Sequence, residues 1–408
     1  MQHPNLATDT PPPGSGFRRS MAVWLLAIGP GVLGLTADND AGGVLSYLLT
    51  GAFQHLWWFV GGLIAMAPAT YTIQELALRV AIATRHPYGK LLSLKYGKAA
   101  ARANGIILHG LNTVILVTEF LGMASALNLF GVPWTGSALL SWILVLTVTS
   151  FQRYARVERL LLWIAGINLV FVPILFLLHP SAAAWRLAFN GGFSGRTGFL
   201  LLALAGNAIA PWMIYWQQNA VWAGNVGSLA DGRKDIRMGV IAQVGMASVV
   251  LMIGALSGKN ASWQNPLAWL ATRDGRWVGD LFALGIYNAG FLAACTISLS
   301  SAWMVQEVWY AEAVRGHDDN PARGALGKIH LASVTLAAAV AAWPRLAVGS
   351  VALWAQALGA LWMPVSLALL ACIAADRRIM GPMAIRSRRR VLVVGLILSF
   401  VALAVFTL

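Results

Sequence analysis

Gly29-Pro-Gly-Val-Leu-Gly-Leu-Thr-Ala-Asp-Asn-Asp-Ala-Gly-Gly43 is the stretch that decides how this chain folds. It opens as an apolar helix, breaks at Asp38, Asn39 and Asp40, and turns apolar again from Val44. Carboxylates in the middle of a membrane segment are costly and mark functional sites by default. A backbone break at that depth is tolerated only where it lines a polar cavity inside the protein. The surroundings are apolar: 58% of the 408 residues are hydrophobic and 11% are charged, against about a quarter charged in soluble domains.

Runs of about 20 apolar residues are needed to span a bilayer. They fall at 21–50, 56–82, 104–130, 135–151, 157–178, 199–222, 237–257, 279–309, 326–344, 348–375 and 390–408. Sorting the 29 Lys and Arg residues into alternate connections puts 23 on the side of the N-terminus and 6 on the other. The positive-inside rule then makes the N-terminus cytoplasmic and the C-terminus external. The net charge of +14 therefore serves topology, and no nucleic-acid partner is expected. Arg386-Ser-Arg-Arg-Arg390 reads as a topology anchor touching anionic lipid. Residues 1–17, with Pro11 to Pro13, read as a disordered cytoplasmic tail, and 18–408 as one transmembrane domain. Cys295 and Cys372 read as small core residues, and Gly191–Gly198 as a flexible external loop.

A second break follows in Gly206-Asn-Ala-Ile-Ala-Pro211, where Pro211 removes a helical hydrogen bond mid-span. The broken runs are the first and the sixth. Interrupted helices at matching places in two halves of a chain point to an inverted-repeat transporter with its site at the midplane. The repeats are expected at 18–180 and 197–376, with an extra eleventh helix at 388–408. His-Glu-x-x-His, Gly-x-Ser-x-Gly and Walker-type loops are missing, so no enzyme activity and no cofactor are expected.

In this order and on these spans, several short motifs resemble the natural resistance-associated macrophage protein family of divalent metal transporters. The likeness is greater to its divergent bacterial branch linked to magnesium transport. The motifs are Gly29-Pro-Gly31, Asp40-Ala-Gly-Gly43 where the family has Asp-Pro-Gly-Asn, and Gln74-Glu-Leu-Ala-Leu-Arg79. They continue with Glu119-Phe-Leu-Gly-Met-Ala-Ser-Ala-Leu127, Ala210-Pro-Trp212 where the family has Met-Pro-His, and Gln356 ahead of Pro364. The resemblance implies an all-α membrane protein of about eleven helices, a LeuT-type 5+5 inverted repeat with broken first and sixth helices. It further implies that Asp40 binds metal, Asn207 offers the carbonyl at the sixth-span break, and Gln356 supplies a tenth-span amide. It marks Gly43 as the place of a lost Asn ligand and Ala210 as that of a lost Met. Trp212 stands where the family has a histidine associated with proton coupling, and Glu119 stands near the ion path.

Read by their chemistry, Asp40, Asp38 and the amides of Asn39, Asn207 and Gln356 form a hard, oxygen-only donor set. Such donors suit Mg²⁺, Ca²⁺ or Mn²⁺. Mg²⁺ keeps several waters when bound, so losing ligands at Gly43 and Ala210 is expected to leave room for a hydrated ion. Asp38 or Asn39 is alternatively a cap for the half-helix starting near Gly42. Glu119 is alternatively a buried acid kept paired, and His109 reads as a hydrogen-bonded residue. Gln217 and Gln218 face the cavity or pack between helices. Glu75 reads as a structural partner of Arg79.

The expected function is inward transport of Mg²⁺, and also Mn²⁺, across a bacterial cytoplasmic membrane by alternating access, without tight proton coupling. The monomer is the expected unit. Alternatives are a proton-coupled Mn²⁺/Fe²⁺ transporter and an amino-acid or amine transporter of the same architecture.

Overall fold

A computed structural model describes residues 29–150, 154–223, 228–309 and 327–407 of the chain. The expected tail, Arg18, Arg19 and the opening of the first span lie outside the described residues. The described elements are all helical. The first span is a pair of half-helices, α1 (Pro30–Ala37) and α2 (Ala41–Ala52). Then come α3 (Leu56–Thr84), the short α4 (Tyr88–Tyr96), α5 (Lys98–Leu129) and α6 (Trp134–Thr149). The fifth span joins α7 (Tyr154–Ala165) to α8 (Phe171–Leu177) through a tighter turn at Gly166–Val170. Pro173 explains that turn, since it removes the N–H that would bond Leu169.

After α9 (Ala182–Phe189), the sixth span is again two half-helices, α10 (Gly195–Ala208) and α11 (Trp212–Ala223). The chain ends with α12 (Leu229–Ser257), α13 (Pro266–Asp274), α14 (Arg276–Trp309), α15 (Gly327–Ala341), α16 (Val348–Ala375), α17 (Arg377–Met380) and α18 (Ser387–Thr407). Among the described residues, 8 helices are long and apolar enough to cross a membrane. The shorter apolar helices α2, α6 and α15 complete the expected set.

The structure moves several expected boundaries. α5, α12 and α14 start well before their apolar runs, because Lys and Arg stems extend a helix while their charged ends stay in water. Gly191–Gly198 is half helix rather than a flexible loop: Ser194 and Thr197 form a reciprocal capping box that starts α10 at Gly195. Cys372 is exposed rather than core, while Cys295 is buried as expected. Cys372 lies on the outer side of α16, a helix only half buried.

The buried centre is built from α2, α10, α11 and α14, whereas α18 lies on the outside with only Val393 and Phe400 buried. α2 and α12 touch backbone to backbone. A Cβ at Gly51 would stand 2.0 Å from the Leu251 carbonyl, and one at Gly254 would stand 2.1 Å from the Leu48 carbonyl. Small residues permit this approach where helices pack in lipid. Its consequence is positional, because it carries the polar side chains of α12 to the break in the first span.

Candidate metal centre at the joined helix breaks

α1 ends at Ala37, and Asp38 is still near-helical at φ −74°, ψ −18°. Asp40 is extended at φ −72°, ψ 172° and caps α2, its carboxylate accepting from the Gly43 N–H. The cap is therefore Asp40, not Asp38 or Asn39, because Asp40 combines the extended backbone of an N-cap with a side chain that accepts from the third residue of α2. Glu119 of α5 assists, accepting from the Ala41 N–H at 2.8 Å and from the Thr118 hydroxyl at 2.9 Å. Through these two hydrogen bonds Glu119 helps to hold the start of α2 in place.

The second break follows the same logic with different residues. α10 ends at Ala208, Ile209 leaves the helix at φ −146°, ψ 75°, and α11 begins after Pro211. The freed Ala208 carbonyl accepts from the Thr70 hydroxyl at 3.3 Å and from Gln243 Nε2 at 3.1 Å. Gln243 Nε2 also donates to Asp38 Oδ2, and the Gln243 carbonyl accepts from Asn39 Nδ2 at 3.1 Å. One residue of α12 therefore ties the two breaks together. Sequence reading passed over it, although a glutamine in mid-span on the helical face of Asp235 and Gly239 was a usable signal.

Gln356 of α16 donates to Asp40 Oδ1 at 3.3 Å. Asn207 lies against Gly43, where a Cβ would come within 2.2 Å of Asn207 Oδ1. The position expected to be roomy is thus filled, and the carboxamide of Asn207 occupies the space that a side chain at 43 would take. Among the described residues Asp38 Oδ1, Asn39 Oδ1 and Gln243 Oε1 are buried without a hydrogen-bond partner, and the Tyr47 hydroxyl meets the buried carboxamide of Asn207. Buried polar atoms are normally satisfied, so this group of oxygens at one place fits a cation. Ala210 and Trp212 are buried beside the break, and the indole N–H of Trp212 has no partner among the described residues.

One residue expected along the pathway packs against a connection instead. Gln218 donates to the His86 carbonyl at 3.3 Å beyond α3, so it fastens α11 to a connection and does not face the breaks. Gln217 is buried further along α11, with its Nε2 unpartnered among the described residues. His109 meets Ser333 at 3.1 Å, as a hydrogen-bonded residue should.

A membrane bundle with two broken spans joined around buried carboxylates defines a LeuT-type transporter. The family described as "Natural resistance-associated macrophage protein-like" matches residues 31–408. The chain belongs to that family of divalent-metal transporters, and it is a multi-pass membrane transporter, not an enzyme. Solved structures agree on the fold. One is the Eremococcus coleocola manganese transporter in complex with an aromatic bis-isothiourea substituted compound, at TM-score 0.67 and 16% identity over 97% of this chain and 96% of that one. A mutant of the same transporter reaches TM-score 0.68 at 17% identity, over 98% and 97%. Mhp1, a nucleobase-cation-symport-1 family transporter in a closed conformation with bromovinylhydantoin bound, gives TM-score 0.61 at 15% identity, over 93% and 89%. No curated protein matches in sequence.

Proposed function

We propose that the chain moves Mg²⁺, and Mn²⁺ beside it, inward by alternating access without obligatory proton co-transport. The observation that carries this reading is the donor set at the joined breaks. Asp40, Asp38, Asn207, Gln356 and Gln243 offer carboxylate and amide groups, a set of oxygen donors. Hard oxygen donors of this kind favour Mg²⁺ and Mn²⁺ over softer ions. Among the described residues no three His, Cys, Asp or Glu side chains gather as a metal-binding group. The protein then supplies few charged ligands and water the rest, which is how Mg²⁺ is usually held.

Asp40 is the principal ligand in this reading, with Asp38, Asn207 and Gln356 around it and Asn39 and Gln243 orienting them. Glu119 and Gln217 border the route. Trp212 offers no titratable group, so gradient and membrane potential drive the ion. The repeats span 18–180 and 197–376, the eleventh helix spans 388–408, and the transporter works as a monomer in a bacterial cytoplasmic membrane. The arginine-rich end of the bundle faces the cytoplasm, with the N-terminus, and the C-terminus is external.

Proteoliposomes loaded with a Mg²⁺-sensitive dye and a pH dye test the reading. Asp40→Asn keeps an oxygen that can cap α2, since Asn and Asp are equivalent there, but removes the charge. Folded Asp40→Asn protein without Mg²⁺ flux is the expected result. Flux at the wild-type rate moves the ion elsewhere, and strict proton entry with the metal overturns the uncoupled mechanism.

A further inference from the structure

Three spans converge on one carboxylate at the arginine-rich end. Glu75 of α3 accepts from Arg79 at 2.5 Å, from Arg233 of α12 at 2.6 and 3.0 Å, and from Arg389 of α18 at 3.1 and 3.2 Å. Glu75 is buried, with its side chain 7% exposed. A single carboxylate neutralises one guanidinium, so two positive charges remain in the cluster. Among the described residues these three arginines meet no other acid; Asp231, nearby in sequence, is exposed and faces Lys234 at 3.6 Å. Like charges gathered this closely repel one another unless a further anion joins them.

The cluster also has room beside it. One cavity of about 540 Å³ runs from Arg233, Arg237 and Arg389 down to Tyr71, Leu392 and Val393. A second, of about 640 Å³, lies on the other side of Arg389 and is lined by Arg79, Arg386 and Arg388. Guanidinium groups bind phosphate through paired, charge-assisted N–H donors. The first cavity is lined by charged side chains and by apolar ones, and it reaches Leu392 of α18, which is 50% exposed on that helix's outer surface. A free inorganic ion has no use for that apolar wall, whereas an acyl chain does. Topology alone accounts for arginines on this side of the membrane, but not for three of them held around a buried acid.

We infer that this is a binding site for the phosphate of an anionic diacyl phospholipid, seated between α3, α12 and α18. The bound lipid bridges the peripheral eleventh helix to two helices that reach the site, α12 through Gln243 and α3 through Thr70.

The test uses the full chain in nanodiscs or detergent, with phosphatidylglycerol, phosphatidylcholine and inorganic phosphate as separate probes. Native mass spectrometry and thermal unfolding read binding. Phosphatidylglycerol should stay bound and raise the unfolding temperature, while the other two do neither. Arg237→Gln and Arg388→Gln change exposed residues outside the Glu75 pairs, so both proteins fold. Each should weaken retention of phosphatidylglycerol about fivefold, as about 1 kcal/mol per basic residue implies, and both together more than either alone. Equal retention of phosphatidylcholine overturns the inference, as does an equal shift from inorganic phosphate or unchanged retention in both variants.

Discussion

Gly43→Ala is the sharpest probe of how the two breaks fit together. By helix propensity alone the change should help. Gly43 sits in the first turn of α2, and Ala is favoured over Gly in a helix by about 0.5–1 kcal/mol. The packing says the reverse. The new Cβ would fall 2.2 Å from Oδ1, 2.4 Å from Nδ2 and 2.6 Å from Cγ of Asn207, all far inside contact distance. Asn207 is fully buried and cannot swing into solvent. Overpacking of this kind costs about 1–3 kcal/mol, so Gly43→Ala should destabilise the protein by up to about 2.5 kcal/mol once the propensity gain is deducted.

In an Asn207→Ala background the clash is gone and only propensity remains, so the same substitution should stabilise by about 0.5–1 kcal/mol. The coupling across the cycle is then about 1–3 kcal/mol, within the range for residues in direct contact. Chemical denaturation of the four proteins in mixed micelles measures it, and Mg²⁺ flux measured beside it separates packing from transport. Stability should recover in the double variant but flux should not, because the carboxamide is absent. A Gly43→Ala protein that gains stability in the wild-type background refutes the reasoning. So does an equal change in both backgrounds.

Two further substitutions follow from α12. Gln243→Leu keeps the volume but leaves the Asp38 carboxylate and the Ala208 carbonyl without their shared donor, so denaturation should show a loss of about 1–3 kcal/mol and calorimetry weaker Mg²⁺ binding. Asp235 accepts from the N–H groups of Gly29, Gly31 and Val32 at 2.8, 2.7 and 3.1 Å. Asp235→Ala should therefore cost about 1.5–3 kcal/mol, whereas Asp235→Asn, which keeps one acceptor, should cost less; equal losses in the two variants would count against this cap.

The spans and both breaks were legible because a bilayer imposes strict terms on sequence. An apolar run must be long enough to cross, and charges within it must have a reason. Asp38 to Asp40 and Asn207 to Pro211 stood out against that background, as did Glu75 beside Arg79. What stayed hidden depended on which helix faces which. Gln243 and Asp235 occupy a helix whose pattern looks ordinary, and their roles arise only when Gly51 and Gly254 let α2 and α12 meet. Arg233 and Arg389 join Glu75 from α12 and α18, so spacing along α3 revealed one partner of three.

Gly43 shows the limit from the other direction. A missing side chain can be read from sequence as lost ligation, but not as space already taken by a neighbour. With Asn207 filling that space, the loss at 43 draws the sixth-span break closer to the first instead of widening the site. In the proposed reading, water around a bound ion is then expected on the side of Ala210, where the side chain is small and the flanking Trp212 donates only an N–H. A substitution that enlarges residue 210 should accordingly disturb ion hydration more than one that alters Gln356, whose amide already contacts Asp40. The relative change in Mg²⁺ and Mn²⁺ affinity in Ala210→Met decides this, since Mn²⁺ accepts the thioether more readily than Mg²⁺ does; a proportional loss for both ions would place the water elsewhere.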